Sequence, residues 1–103
     1  MNCATADLRR TESLVEIFEK RRLFLNPEFC PEDISTLTGV PLRCMERLVH
    51  SLFGMTLQKL IAMYRVQHSA ELLRMGVPFE DLFRYSGFDT FGGFIRGVNH
   101  IAY

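Results

Sequence analysis

Between Pro41 and Gly54, side chains able to ionise or hydrogen-bond recur at helical spacing: Arg43, Glu46, Arg47 and His50. Intervals of i, i+3, i+4 and i+7 place them on one face of a helix. The opposite face is apolar, with Met45, Leu48, Val49 and Leu52 at the same intervals. Two chemistries are open to the polar face. It can be a solvated surface on which Glu46 pairs with Arg43 or His50. It can also be the outer face of a recognition helix, because a short helix and a Gly-containing turn precede it, which is the sequence form of a helix-turn-helix.

Other chemistries find less support. His50, His68 and His100 have no metal-site spacing with one another or with the cysteines, so no metal is expected. Cys44 stands beside Arg43 and could form a thiolate, although a half-buried thiol is the ordinary state of such a residue and of Cys30. Gly92-Gly93 lacks the lysine and the glycine spacing of a phosphate loop. No nucleophile–base pair or paired carboxylates stand out, so the chain reads as neither an enzyme nor a cofactor carrier.

The elements that must position these residues follow from pattern and punctuation. The first six residues are expected to fray. A first helix is expected over residues 7–22, with start signals at Thr11-Glu12-Ser13 and an inward stripe of Leu14, Ile17 and Phe18. Pro27 breaks the chain. Pro31-Glu32-Asp33 opens a helix of about seven or eight residues that turns Ile34 and Leu37 inward and stops at Gly39. Pro41 opens the next helix, and Gly54 ends it. Thr56 to Met75 contains no Pro or Gly and is rich in strong helix formers. Its apolar residues form two opposed stripes in succession, Leu57, Leu60, Ile61 and Tyr64, then Val66, Ala70 and Leu73. The pattern predicts one strut with Leu60 and Ile61 in one core and Ala70 and Leu73 in another. After Gly76 the plan repeats: Pro78 starts a short helix turning Phe79, Leu82 and Phe83 inward, and Gly87 makes the turn. Asp89 or Thr90 then caps a helix carrying Phe91, Phe94, Ile95 and Val98, with Arg96 outside.

With 103 residues the chain is expected to be one all-α domain of about six to seven helices. A first helix-turn-helix subdomain is expected at about 7–55, a linker helix at about 56–75 and a second subdomain at about 77–103. No apolar run reaches the length of a membrane span, and the opening residues carry no apolar signal segment. Three cysteines without CxxC spacing suit a reducing cytosol, so a cytoplasmic location is expected. Twelve basic and twelve acidic residues cancel, so any nucleic-acid binding must come from placement rather than bulk charge.

The segments YRVQHSAELL (64–73) and FEDLFRYSGF (79–88), with the lead-in LFLNPEFCPEDI (23–34), resemble the AraC-type DNA-binding domain of bacterial transcription regulators. The resemblance covers roughly residues 14–100. Its most specific marks are Arg65, Ala70, Leu73, Gly87 and Phe88 at the family's mutual spacings, with Gly54 ahead of the long helix. It implies two helix-turn-helix units joined by one long helix, each placing its second helix in a major groove of double-stranded DNA. A sensor domain or a second copy of the chain is implied as a further partner, and a membrane is not.

Carried over by position, the first base-reading helix is 42–53, with Arg43, Glu46 and Arg47 outward. Arginine can bond guanine bidentately and glutamate can accept from the cytosine amino group. Arg96 is the matching reader in the second unit. His50, Thr56, Lys59, Arg84 and Thr90 are the expected phosphate contacts. Pro41 stands where the family usually has a capping Ser, and Phe83 where it has a small Ala. Phe91-Gly92-Gly93 occupies positions that the family uses for polar readers. The alternative is a diverged helical module that keeps the fold and docks on a partner protein.

Overall fold

The computed structural model describes the backbone of residues 3–102 and the side chains of residues 6–101. The fold is all-α, with six α-helices and no strand among the described residues: α1 Cys3–Val15, α2 Pro31–Thr38, α3 Leu42–Phe53, α4 Leu57–Arg74, α5 Leu82–Tyr85 and α6 Phe91–Ala102. A π turn, Glu16–Lys20, prolongs α1, and 3-10 turns lie at Leu23–Leu25 and Phe79–Asp81. No helix among the described residues is long and apolar enough to cross a membrane. The chain forms two compact units. One takes the residues up to Leu23 together with Cys30–Gln58, the other Phe24–Phe29 together with the residues from Lys59 onward.

In the first unit, α1 starts earlier than its sequence suggests. The helix is already formed at Cys3, so the fraying expected of the first six residues is not seen from there on; Met1 and Asn2 lie outside the described residues. Thr11 and Ser13 do not cap it. Their hydroxyls donate to the carbonyls of Asp7 (2.8 Å) and Arg9 (3.1 Å), the mid-helix alternative open to these short side chains. Leu14, Ile17, Phe18, Ile34, Met45, Leu48 and Val49 are buried, as their stripes require. Leu37 and Leu52, expected inward, are each 48% exposed. Both sit in the last turn of a short helix, beyond the surface its neighbours cover, and Leu37 instead lines an open groove with Arg9, Glu12 and Arg21.

The α2–α3 turn is pinned by side chains. Ser35 Oγ donates to the Val40 carbonyl (2.7 Å), and the Val40 N–H donates to Thr38 Oγ1 (3.2 Å). The Asp33 carboxylate accepts from the Cys30 N–H at 3.0 Å, satisfying a donor at the start of α2. Pro41 supplies no side-chain cap to α3, as its chemistry requires.

The second unit is closed by Arg65. Its Nε donates to the Phe24 carbonyl (2.8 Å), and Nη2 donates to the carbonyls of Asn26 (3.0 Å) and Phe29 (3.2 Å). The guanidinium also lies over the Phe88 ring, 5.9 Å from its centroid. Burial pushes its pKa down and Asp89 opposes that, but an arginine remains charged throughout. The segment it grips is itself ordered, because Asn26 Oδ1 and the Asn26 carbonyl accept from the Glu28 and Phe29 N–H groups, both at 3.0 Å.

Leu57, Leu60 and Ile61 on α4 are buried. The rest of the expected stripe needs correction. Against the cluster of Leu82, Phe88 and Phe94, α4 sets Val66 and Leu72 rather than Ala70 and Leu73, and Leu73 is 50% exposed. Ser69 on the same helix is buried, its hydroxyl satisfied by the Val66 carbonyl at 2.6 Å. A polar residue whose hydroxyl bonds within its own helix packs like a small apolar one, and the apolar pattern alone could not see it.

Schellman motifs end α4 and α5. Val77 N–H bonds to the Leu72 carbonyl (3.0 Å) around Gly76, and Phe88 N–H to the Phe83 carbonyl (3.2 Å) around Gly87. Gly76 has φ +96° and Gly87 φ +90°. They differ in surroundings. A Cβ on Gly76 would meet nothing, whereas one on Gly87 would strike the Phe24 carbonyl and approach Arg65 Nε to 2.9 Å. Phe79, expected inward, is 46% exposed, because the chain there forms a 3-10 turn and α5 is only four residues long.

Gly76→Ala should therefore cost about 1–2 kcal/mol, the penalty of a left-handed residue alone. Gly87→Ala should cost roughly 3 kcal/mol or more, since overpacking against backbone is added. Urea unfolding of both variants checks the order. Ser86 Oγ is fully buried with no hydrogen-bond partner among the described residues. Ser86→Ala should leave stability unchanged or raise it by about 1 kcal/mol, read as a higher midpoint in the same titration.

Candidate functional site

The first candidate face lies on α3, and it is held from both sides. Met45, Leu48 and Val49 anchor its inner stripe, so residues 43, 46, 47 and 50 turn outward. Arg43, Arg47 and His50 are exposed. Among the described residues, Arg43 and Arg47 have no ion pair or hydrogen bond. Two side chains capable of forked hydrogen bonding are thus presented one turn apart.

Glu46 behaves differently. It is half-buried, and its Oε1 accepts from the Leu57 N–H at 2.6 Å. The carboxylate thus satisfies an orphan donor at the start of α4 and suits the positive end of that helix. Among the described residues it pairs with neither Arg43 nor His50, and its Oε1 serves the fold. The reason is tertiary: residue 57 is eleven positions away, outside any helical periodicity. Thr56 is exposed immediately before α4.

The second face lies on α6. Thr90 caps this helix, as one of the two expected caps, its Oγ1 accepting from the Gly93 N–H at 3.0 Å. Arg96 is exposed and folds back along the helix. Its Nη1 is 3.7 Å from the place of a Cβ on Gly92, and its Nη2 3.8 Å from that on Gly93. The glycines thus leave room for the guanidinium against the first turn. Gly97 has a separate reason, because a Cβ there would come within 2.9 Å of the Phe88 ring.

Lys59 of α4 meets Arg96, Asn99 and His100 around one open cleft. The structure thus brings together Lys59 and Arg96, named from sequence, with Asn99 and His100, which sequence reading left out. The missed signal was the spacing of 96, 99 and 100, which is again i, i+3, i+4. Arg84 is exposed on α5, its guanidinium 5.7 Å from the Phe83 ring centre, and is not part of the cleft.

The Cys30 thiol has no activated setting. Hydrogen bonding to Glu32, with a lesser push from Asp33 and burial, raises the Cys30 pKa, the reverse of what a nucleophile needs. Cys44 is half-buried. No group of three or more His, Cys, Asp or Glu residues is placed to hold a metal ion among the described residues.

No family model, curated protein or solved structure matches the chain.

The Glu46 contact has a direct check. Glu46→Ala should destabilise the protein by about 0.5–2 kcal/mol, the range of a lost helix cap. Glu46→Gln keeps an acceptor oxygen and should cost less. Urea unfolding that ranks the two substitutions equally would show that the cap carries no stability.

Proposed function

We propose that this chain binds double-stranded DNA sequence-specifically, as a cytoplasmic bacterial transcription regulator or the output domain of one. The observation that carries this reading is the pair Arg43 and Arg47, exposed and unpaired among the described residues on the outer face of the second helix of a helix–glycine turn–helix unit. The turn before them is pinned by Ser35 and Thr38, and Glu46 fixes α3 to the start of α4, so the arginines stand on a rigid base. The resemblance of residues 14–100 to the AraC-type domain supports the same reading. In it, α3 is the principal reader and α6 the weaker one, with Lys59, Arg96 and His100 at phosphate. A sensor domain or a second copy of the chain is the further partner.

The competing reading is a module that docks on another protein. Its support is the exposure of Phe79 and Phe91 on the second unit.

A random-library selection with the purified chain distinguishes the two. DNA binding predicts an enriched motif with more information in one half-site than in the other. Arg47→Ala should cost roughly 1–3 kcal/mol and relax preference at its base pair, whereas Arg96→Ala should weaken all sequences evenly. Seven basic and seven acidic residues lie in 31–103, and Arg65 is engaged by backbone carbonyls. Salt dependence should therefore be shallow, on the order of three to five released counterions. A folded protein that enriches no motif belongs to the protein-docking class.

A further inference from the structure

The first three residues of α6 carry no hydrogen-bonding side chain. They are Phe91, then two glycines. Phe91 is 41% exposed yet fixed in place. Phe79 meets it edge-on at 5.8 Å and 81°, Phe83 at 6.2 Å and 80°, and the buried Phe94 packs at 6.1 Å. A ring gripped by three others loses little further freedom on contact, so its exposed edge is a preorganised apolar surface.

The neighbourhood indicates what that surface meets. Beside the ring, Gly92 and Gly93 leave the backbone bare, and a Cβ on Gly92 would meet nothing closer than Arg96 Nη1 at 3.7 Å. Arg96 lies over these glycines and shares its cleft with Lys59 and His100, so cationic groups flank the bare turn. Phe79 is exposed as well and packs on Phe91, but it lies in a turn that carries Glu80 and Asp81, whereas the helix of Phe91 carries Arg96 and His100.

We infer that Phe91 reads thymine C5-methyl groups in the major groove, so that the second unit selects by apolar contact where Arg43 and Arg47 select by hydrogen bonds. This rests on the DNA-binding reading above. Of the four bases only thymine projects a methyl group into that groove. Residues 91–93 carry no hydrogen-bonding side chain, so the side-chain contact that this turn can make with a base edge is the apolar one of Phe91.

The test uses the full chain and the duplex it selects. Each thymine is replaced singly by deoxyuridine, which removes the methyl group and leaves every hydrogen-bonding atom. At one or two positions outside the arginine-read half-site, wild-type affinity should fall about fourfold, the value of one buried methyl group. Replacing cytosine by 5-methylcytosine at the same positions of a weak site should restore part of it. Phe91→Ala should bind thymine and deoxyuridine duplexes equally. If Phe91→Ala does not fold, the deoxyuridine series on the wild type decides alone. A selected motif with no methyl sensitivity at any such thymine overturns this inference and leaves the DNA-binding reading intact; it is also the result expected if the aromatic cluster serves a protein partner. A folded chain that selects no DNA overturns both.

Discussion

One guanidinium holds the second unit together. Arg65 satisfies three main-chain carbonyls of the 24–29 segment, more than thirty-five residues away in sequence. Loop carbonyls brought out of water need donors, and a charged fork with several fixed N–H groups supplies them at once. Lysine could not, because its ammonium is a point charge without the fork. The same contact dictates its surroundings. Gly87 must lack a side chain because its Cα lies against the Phe24 carbonyl and Arg65 Nε. Phe88 lies under the guanidinium, and its ring then requires Gly97 on α6. An arginine, two glycines and a phenylalanine are thus one constraint seen from four positions.

The two candidate faces reach rigidity by different physical means. On α3 it comes from an apolar stripe beneath and a charge-assisted cap, Glu46 to the Leu57 N–H, that ties the helix to the next one. On α6 it comes from ring packing: Phe79, Phe83, Phe91 and Phe94 form a chain of tilted and edge-to-face contacts. Phe83 enters this chain as a half-buried residue, and Phe91 is held against it at the start of α6. A face built on aromatic packing suits apolar contact, and a face that presents exposed guanidinium groups suits hydrogen bonding. The difference in expected readout follows from the difference in scaffold.

Much of this was legible in the sequence. Helix positions followed from local causes: Pro31 and Asp33 at a start, Gly39, Gly54 and Gly76 at stops, and the absence of breakers from Thr56 to Met75. The outward set Arg43, Arg47 and His50 followed from periodicity, because an amphipathic helix has one way to bury its stripe. These features depend on neighbours within a turn or two, and the chain carries that information by itself.

What the tertiary structure decided was the use made of each polar atom. Periodicity put Glu46 outside, but an orphan N–H eleven residues on took its carboxylate. Sequence offered Asp89 or Thr90 as the cap of the last helix, and the Gly93 N–H selects Thr90. Hydrophobicity placed Leu73 inside and ignored Ser69, whereas Leu72 packs against Leu82, Phe88 and Phe94, and Ser69 is buried with its hydroxyl on the Val66 carbonyl. Arg65 drew notice for its position alone, and the carbonyls it serves became visible only when the chain had returned to it. Sequence determines which face a residue occupies because that is a local angle. It does not determine which donor reaches an acceptor across the fold, because that depends on distances set only when all the helices have packed.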